Sequence, residues 1–283
     1  MVGARPRTLA AAAVPVAVGT AAVRLGSFGG IVWWRAGCAA VVALAIQVGT
    51  NYANDYSDGI RGSDTRRVGP IRLTSSGLAS PSQVRLASFL AFGVAAVAGL
   101  ALAASVSWWL ILVGLACFIA GWLYTGGPKP YGYLGLGEVF VFIFFGLVAT
   151  AGSAYVQHGR ITAAAVAASV PVGLLSVTLL ESNNLRDIKG DAAVDKRTLA
   201  VRLGADRARW LYVGALMGAF ASVGLVAPLR PYALVALVAL PLAWRPSAAV
   251  MRGAEGRDLL GVLADTGRIQ LAVGLLLTIG LAL

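Results

Sequence analysis

Long apolar segments recur along this chain of 283 residues, and they constrain its fold more than any other feature. A membrane-spanning helix needs roughly 17–25 predominantly apolar residues. Segments of about that length can be placed at 8–25, 32–52, 84–104, 107–124, 134–156, 161–182, 208–227, 229–245 and 267–283. Charged residues make up 12% of the chain, whereas soluble domains carry about 25%. The sequence therefore predicts an all-α, polytopic membrane bundle of about nine transmembrane helices, with residues 1–283 forming a single domain.

The positive charges predict how this bundle is oriented. With nine spans, the loops fall into two sets on opposite sides of the membrane. Of the 23 Lys and Arg residues, all but Arg24, Arg35, Arg160 and Arg230 fall on the side of the N-terminus. Because Lys and Arg accumulate in cytoplasmic loops, this pattern predicts a cytoplasmic N-terminus.

All 12 Asp and Glu residues also fall on that predicted cytoplasmic side. The positive-inside rule does not require this, since acidic residues contribute little to orientation. Together with the formal charge of +11, the placement indicates a face that handles anionic lipid or an anionic substrate in the bilayer. Nucleic acid is not an expected partner.

Two polar segments repeat the same stripe at the ends of the second and sixth apolar segments. The first has Asn51, Asn54 or Asp55, and Asp58 at helical spacing, and the second has Asn184, Asp187 and Asp191. If the helices extend this far, each set projects from one helix face. One stripe alone is as typical of a solvated helix end as of a site. Two matching stripes favour several carboxylates around one cavity.

So many like charges would repel one another unless a cation or protons neutralise them. Oxygen ligands without His or Cys select Mg²⁺, which usually joins one or two carboxylates to substrate phosphates. Basic residues near both stripes are suited to bind phosphate oxygens directly. These are Arg61, Arg66, Arg67, Arg72, Lys129, Lys196, Arg197 and Arg202.

Three segments resemble the UbiA superfamily of intramembrane prenyltransferases, whose members carry two aspartate-rich motifs after helices 2 and 6. They are ARPRTL at 4–9, NYANDYSDGIRGSDTRRVGPIRLTSSG at 51–77 and NNLRDIKGDAAVDKRTLAVRLG at 183–204. The residues of these motifs are similar to those of the branch that prenylates 1,4-dihydroxy-2-naphthoate, since the 4-hydroxybenzoate branch usually has Asp in place of Asn184. The resemblance implies transfer of a prenyl chain from polyprenyl diphosphate to dihydroxynaphthoate, with loss of CO₂, in menaquinone synthesis. It also implies Mg²⁺ as cofactor, a bacterial cell membrane as location and an active site at the cytoplasmic face.

The same resemblance assigns residue roles, position by position. The metal set is Asn54, Asp55, Asp58, Asn184, Asp187 and Asp191. The catalytic set is Asp58, Asp64, Asp187 and Lys129. The diphosphate-binding set is Asn54, Arg61, Arg66, Arg72, Tyr124, Lys129, Asn184, Lys196 and Arg197.

The chain departs from the branch pattern in the second polar segment. Val194 and Asp195 stand where a Gly commonly precedes the Lys-Arg-Thr run, and Glu181 lies one turn before Asn184 in an apolar stretch. Asp64 and Glu138 are both candidates for the carboxylate that activates the acceptor ring, and the sequence does not choose between them. Phe140, Phe144 and Phe145 are candidates to line a dry groove for the prenyl tail, or are ordinary packing aromatics.

Two alternatives to dihydroxynaphthoate prenylation follow from the residues. The first is prenyl transfer to another acceptor, such as 4-hydroxybenzoate, homogentisate, haem or a sugar phosphate. The second is a secondary transporter. Transporters hold ionisable residues near the bilayer midplane, whereas here the acidic residues collect at one face.

Overall fold

The computed structural model describes residues 3, 5, 8–23, 30–62 and 71–283, and within these ranges the secondary structure is helical, without strands. Nine main helices follow one another in this part of the chain. They are α1 Ala10–Ala21, α2 Trp33–Ile60, α3 Pro81–Ser105, α4 Trp109–Leu123, α5 Gly137–His158, α6 Ala163–Ala193, α7 Ala205–Leu225, α8 Pro231–Met251 and α9 Gly256–Ala282. A 3₁₀ turn at Tyr131–Leu134 and a short helix at Leu199–Leu203 lie between them.

Each predicted apolar segment corresponds to one of these helices. Seven helices are long and apolar enough to cross a membrane, whereas α1 and α4 have only 12 and 15 residues. The structure therefore supports the all-helical class with seven candidate spans, and the count of nine spans remains a prediction.

Local sequence signals explain where two helices begin. At the start of α3, the Ser80 hydroxyl accepts from the Gln83 N–H at 3.3 Å and the Gln83 side chain accepts from the Ser80 N–H at 2.9 Å. This capping box satisfies two N–H groups that a helix start leaves without partners. The Thr162 hydroxyl caps α6 by accepting from the Ala165 N–H at 3.1 Å.

α2 and α6 continue as helix well past their apolar portions, and both polar stripes are therefore helical. Asn54 and Asp58 lie in the last two turns of α2. Asn184, Asp187 and Asp191 lie in the last turns of α6. The side chains of each stripe thus share a helix face.

α5 contains a π-helical segment, Phe142–Val148, between its two α-helical parts. At this segment α5 packs very closely on α6, because Gly146 faces Gly173 and a Cβ added to Gly146 would meet the Gly173 Cα at 2.6 Å. Such π segments widen one turn of a helix and often occur at functional sites.

The main apolar core lies where α1, α6, α7, α8 and α9 meet, and includes Val18, Leu175, Leu216, Ala236 and Leu277. α3 and α4 pack on α2 instead. A large space is left between these two groups of helices, and it holds the candidate site.

Candidate active site

A cavity of about 1080 Å³ runs between α1, α2, α3, α4, α5 and α6, and α9 also contributes to its lining. Its polar end lies where α2 and α6 end, and the rest is lined by small, aliphatic and aromatic side chains. Phe140, Phe144 and Phe145, the aromatic candidates from the sequence, all line it. Eight predicted site residues line the polar end, namely Asn54, Asp58, Arg72, Tyr124, Asn184, Asp187, Asp191 and Lys196.

Asp58 lies at the centre of the polar end and is almost fully buried. Its carboxylate accepts a hydrogen bond from the Tyr133 hydroxyl at 2.9 Å. The Lys196 ammonium lies 3.6 Å away and the Arg72 guanidinium 3.9 Å away. A buried carboxylate needs such partners, because an unpaired buried charge is very costly.

Lys196 joins the two stripes. Its Nζ lies 3.6 Å from the carboxylate of Asp58 on α2 and 3.6 Å from that of Asp191 on α6. Its ammonium also lies 5.3 Å from the centre of the Tyr133 ring. The aspartates of the two segments therefore surround one point that a cation already occupies.

The other two residues of the second stripe have partners of their own. Arg186 donates two hydrogen bonds to the Asp187 carboxylate, at 2.8 and 2.7 Å. The Asn184 side-chain amide donates to Glu138 of α5 at 2.7 Å.

Glu181 lies one turn before Asn184 on α6 and is fully buried. Neither of its carboxyl oxygens has a hydrogen-bond partner among the described residues. The departure from the branch pattern at Glu181 therefore places a carboxyl group inside the helix bundle, one turn from the second stripe.

The turn after α4 holds the α2 end of the cavity in place. The Thr125 hydroxyl donates to the Asn54 side-chain oxygen at 2.8 Å. The Tyr131 hydroxyl donates to the Ala120 carbonyl at 2.8 Å, and burial raises the pKa of Tyr131 above the ordinary value of a phenol. Tyr131 also stacks on Phe140, with ring centres 3.9 Å apart. This phenol therefore stays protonated and links the polar end to the aromatic wall.

Four predicted site residues do not line the cavity. The Asp55 carboxylate accepts from the backbone N–H groups of Leu73 and Thr74, at 2.9 and 3.0 Å, which fixes the segment that carries Arg72. Arg61 donates to the carbonyls of Thr125 and Gly127.

The remaining two of these four are exposed. Lys129 lies on the surface of the turn after α4. Arg197 pairs with Asp195 at 2.8 Å. Arg202, which the sequence also predicts to bind phosphate, does not line the cavity either and donates to the Arg197 carbonyl at 3.1 Å. Asp64, Arg66 and Arg67, which the sequence predicts as well, lie outside the described residues.

Tyr133 and Arg186 are site residues that the sequence reasoning did not select. Tyr133 follows Tyr124, which the sequence does select, in the segment between α4 and α5, and only the fold shows that its ring reaches Asp58. Arg186 lies inside the second motif, beside Asp187, but it is not part of the stripe.

The donor set at the polar end fits a magnesium ion. Among the described residues no three His, Cys, Asp or Glu side chains cluster closely enough to hold a metal by themselves. Two carboxylates from different helices, those of Asp58 and Asp191, nevertheless lie on either side of the Lys196 ammonium. Mg²⁺ is usually held by one or two carboxylates together with waters and substrate phosphates, and that is the kind of site these residues can form.

The sequence matches the UbiA prenyltransferase family over residues 12–259. This chain belongs to that family. With its seven candidate spans, it is an integral membrane protein.

Relatives in this UbiA family are similar over nearly the whole chain. A Mycobacterium tuberculosis protein named 1,4-dihydroxy-2-naphthoate octaprenyltransferase is 50% identical over 269 residues, covering 95% of this chain and 91% of its own. The Escherichia coli protein of the same name is 34% identical, covering 99% and 93%.

A solved structure shares the fold. It is a UbiA homolog from Archaeoglobus fulgidus bound to GPP and Mg²⁺, and it matches with a TM-score of 0.63, covering 97% of each chain. The sequence identity of 16% means that the likeness concerns the fold alone.

Proposed function

We propose that this chain transfers a polyprenyl group from polyprenyl diphosphate to 1,4-dihydroxy-2-naphthoate, releasing CO₂ and diphosphate and forming demethylmenaquinol for menaquinone biosynthesis. The observation that carries the proposal is the 50% identity to a dihydroxynaphthoate octaprenyltransferase over 95% of the chain. A cavity with one charged end and a long apolar remainder is suited to such a pair of substrates.

The polar end is assigned to the diphosphate. Arg72 and Lys196 both face the Asp58 carboxylate, at 3.9 and 3.6 Å. Two cations at this end of the cavity are suited to bind phosphate oxygens and to stabilise the charge that builds on the leaving group. Tyr133 and Asn54 keep Asp58 and the end of α2 in position.

Asp58 and Asp191, with Asn54, Asn184 and Asp187 nearby, are the residues that would hold Mg²⁺. When bound, the ion neutralises diphosphate charge and so makes the allylic C–O bond easier to break. The carboxylates and amides orient the polar end, and Lys196 supplies a cation between the stripes.

The apolar remainder is assigned to the prenyl tail. Phe140, Phe144 and Phe145 line it together with small residues such as Ala39 and Gly99. This lining excludes water, which would otherwise trap the allylic cation before the acceptor ring attacks it.

The predicted arrangement in the membrane is part of the proposal. We place one domain over residues 1–283, nine spans, a cytoplasmic N-terminus and the polar end of the cavity at the cytoplasmic face of a bacterial cell membrane. The charge asymmetry of the sequence supports this orientation.

The test is an assay of purified protein with Mg²⁺, a polyprenyl diphosphate and dihydroxynaphthoate labelled with ¹⁴C in the carboxyl group. We expect labelled CO₂ to appear in step with prenylated product, EDTA to abolish both, and excess Mg²⁺ to restore them. 4-Hydroxybenzoate, as the matched acceptor, should give little or no product. Retained label, preferential use of hydroxybenzoate, or full turnover in EDTA would each contradict the corresponding part of the proposal.

A further inference from the structure

The cavity has a second polar region, on a different face of α6 from Asp191. Arg186 lies seven residues after Leu179 on α6, and both line the cavity. Leu179 packs with Ala11 of α1, Leu263 of α9 and Phe145 of α5. This region therefore combines one cation with apolar walls.

Arg186 has an unused hydrogen-bonding group in this region. Its side chain is 1% exposed, and its Nε and one Nη donate to the Asp187 carboxylate. The other nitrogen, Nη1, donates to no acceptor among the described residues. Buried N–H groups nearly always have partners, and a guanidinium cannot lose its proton to avoid the cost. The free edge of a planar guanidinium is suited to a carboxylate.

Gln47, in the middle of α2, offers the complementary group. Its side-chain nitrogen donates to the Thr8 hydroxyl at 3.1 Å and to the Asn51 side-chain oxygen at 3.4 Å. Gln47 lines the cavity, and its side-chain oxygen is buried and accepts from no donor among the described residues. An acceptor of this kind is suited to a ligand hydroxyl.

We propose that Arg186 binds the carboxylate of the aromatic acceptor and that Gln47 accepts a hydrogen bond from one of its ring hydroxyls. This rests on the proposed function, because it divides the cavity between the two substrates. Asp187 already balances the charge of Arg186, so the pair suits a ligand with one negative charge better than a diphosphate with several. Ala11, Leu179 and Leu263 supply walls for a flat ring.

The test compares two ligands that differ only in the carboxylate, 1-hydroxy-2-naphthoate and 1-naphthol. Both are measured as inhibitors competing with the acceptor, and as stabilisers of the purified protein against heat. In the unmodified protein we expect the acid to bind about tenfold or more tightly, since a hydrogen bond between charged groups adds that much. In Arg186→Gln the ratio of the two affinities should fall to about one, while the KM for polyprenyl diphosphate changes less than about threefold.

Two other arginines serve as controls. Arg5 also lines the cavity, where it donates to the Asn51 carbonyl at 3.4 Å, and Arg252 lies on the surface. Arg5→Gln and Arg252→Gln should both keep the tenfold ratio. Gln47→Leu should weaken both ligands to the same extent, because both carry the hydroxyl.

The ratio is taken within one variant, so it does not depend on the fraction of active protein. If Arg186→Gln does not fold, Arg186→Lys replaces it in the test. For Arg186→Lys we expect the ratio of the two affinities to lie between about one and the tenfold value of the unmodified protein. An unchanged ratio in these variants, a ratio lost in Arg5→Gln, or a rise in the diphosphate KM alone would overturn the inference. Heat stabilisation needs no turnover, so a protein that prefers the acid but forms no product would contradict only the proposed function.

Discussion

At the scale of single residues, Asp58 is a buried carboxylate with two cations close to it. It holds Lys196, Arg72 and the Tyr133 hydroxyl around one buried carboxylate. Asp206, by contrast, is 94% exposed and pairs with Arg209 at 2.7 Å. The two aspartates therefore allow the charge at the site to be tested against charge at the surface.

Asp58→Asn should reduce kcat/KM by about 100-fold or more, because the variant loses the charge that orients the cations and the metal at the diphosphate. Its size is unchanged, so the melting temperature in detergent should show that the protein still folds. Asp206→Asn should retain normal turnover. Near-normal turnover in Asp58→Asn would reduce the first stripe to a solvated helix end.

Asp195 explains one of the departures from the branch pattern. Its φ is +54°, in the left-handed region that Gly adopts without strain. The chain therefore has a left-handed residue directly before its Lys-Arg-Thr run, at a position where Gly would be unstrained. Asp tolerates this region better than most residues, and its carboxylate also pairs with Arg197.

Asp195→Gly should raise the free energy of unfolding by about 0.5–1 kcal/mol, because relief of the left-handed strain exceeds the loss of an exposed ion pair. Asp195→Val should lower it by about 1–2 kcal/mol, since a branched side chain fits this region poorly. Thermal unfolding of the two variants measures the difference. The opposite order of stability would contradict the role of the turn.

At the scale of elements, hydropathy located each helix but not where the helices end. The polar ends of α2 and α6 carry few apolar residues, and packing around the cavity keeps them helical. The partners of Asp55, Asn54 and Asn184 come from distant segments. Such contacts leave no pattern in a single sequence, so the two stripes were predictable while the residues that position them were not.

Hydropathy likewise does not predict the π segment of α5, where this helix packs closely on α6. Gly146→Ala should lower the free energy of unfolding by about 1–3 kcal/mol, because its methyl group would meet α6 backbone in a tightly packed contact. Gly93→Ala in α3 is the control, since an added Cβ there meets nothing within 4 Å. It should be neutral or stabilise by up to about 1 kcal/mol. Equal effects of the two variants would mean that the close approach of α5 and α6 does not limit stability.

At the scale of the whole molecule, exposed tryptophans mark two levels along the bundle. Trp33, Trp34, Trp108 and Trp109 lie at the starts of α2 and α4. Trp210 lies near the start of α7, and Trp244 lies in the second half of α8. Tryptophan is enriched at both membrane interfaces, and in the proposed arrangement of nine spans these two groups would lie on opposite sides. The tryptophan positions therefore fit the proposed alternation of the spans.

The orientation itself can be tested with cysteines at the two ends of α6. Cys38 and Cys117 are both free and would first be replaced by Ala. Ile161 and Ala192 are exposed just before and near the end of α6, so Ile161→Cys and Ala192→Cys report opposite ends of one span. A membrane-impermeant maleimide should label Ile161→Cys in intact cells, and Ala192→Cys only after the membrane is opened. Turnover of the cysteine-free parent is the control for correct insertion. Labelling in the reverse order would place the polar end of the cavity outside, where a cytoplasmic diphosphate could not reach Asp58 and Lys196.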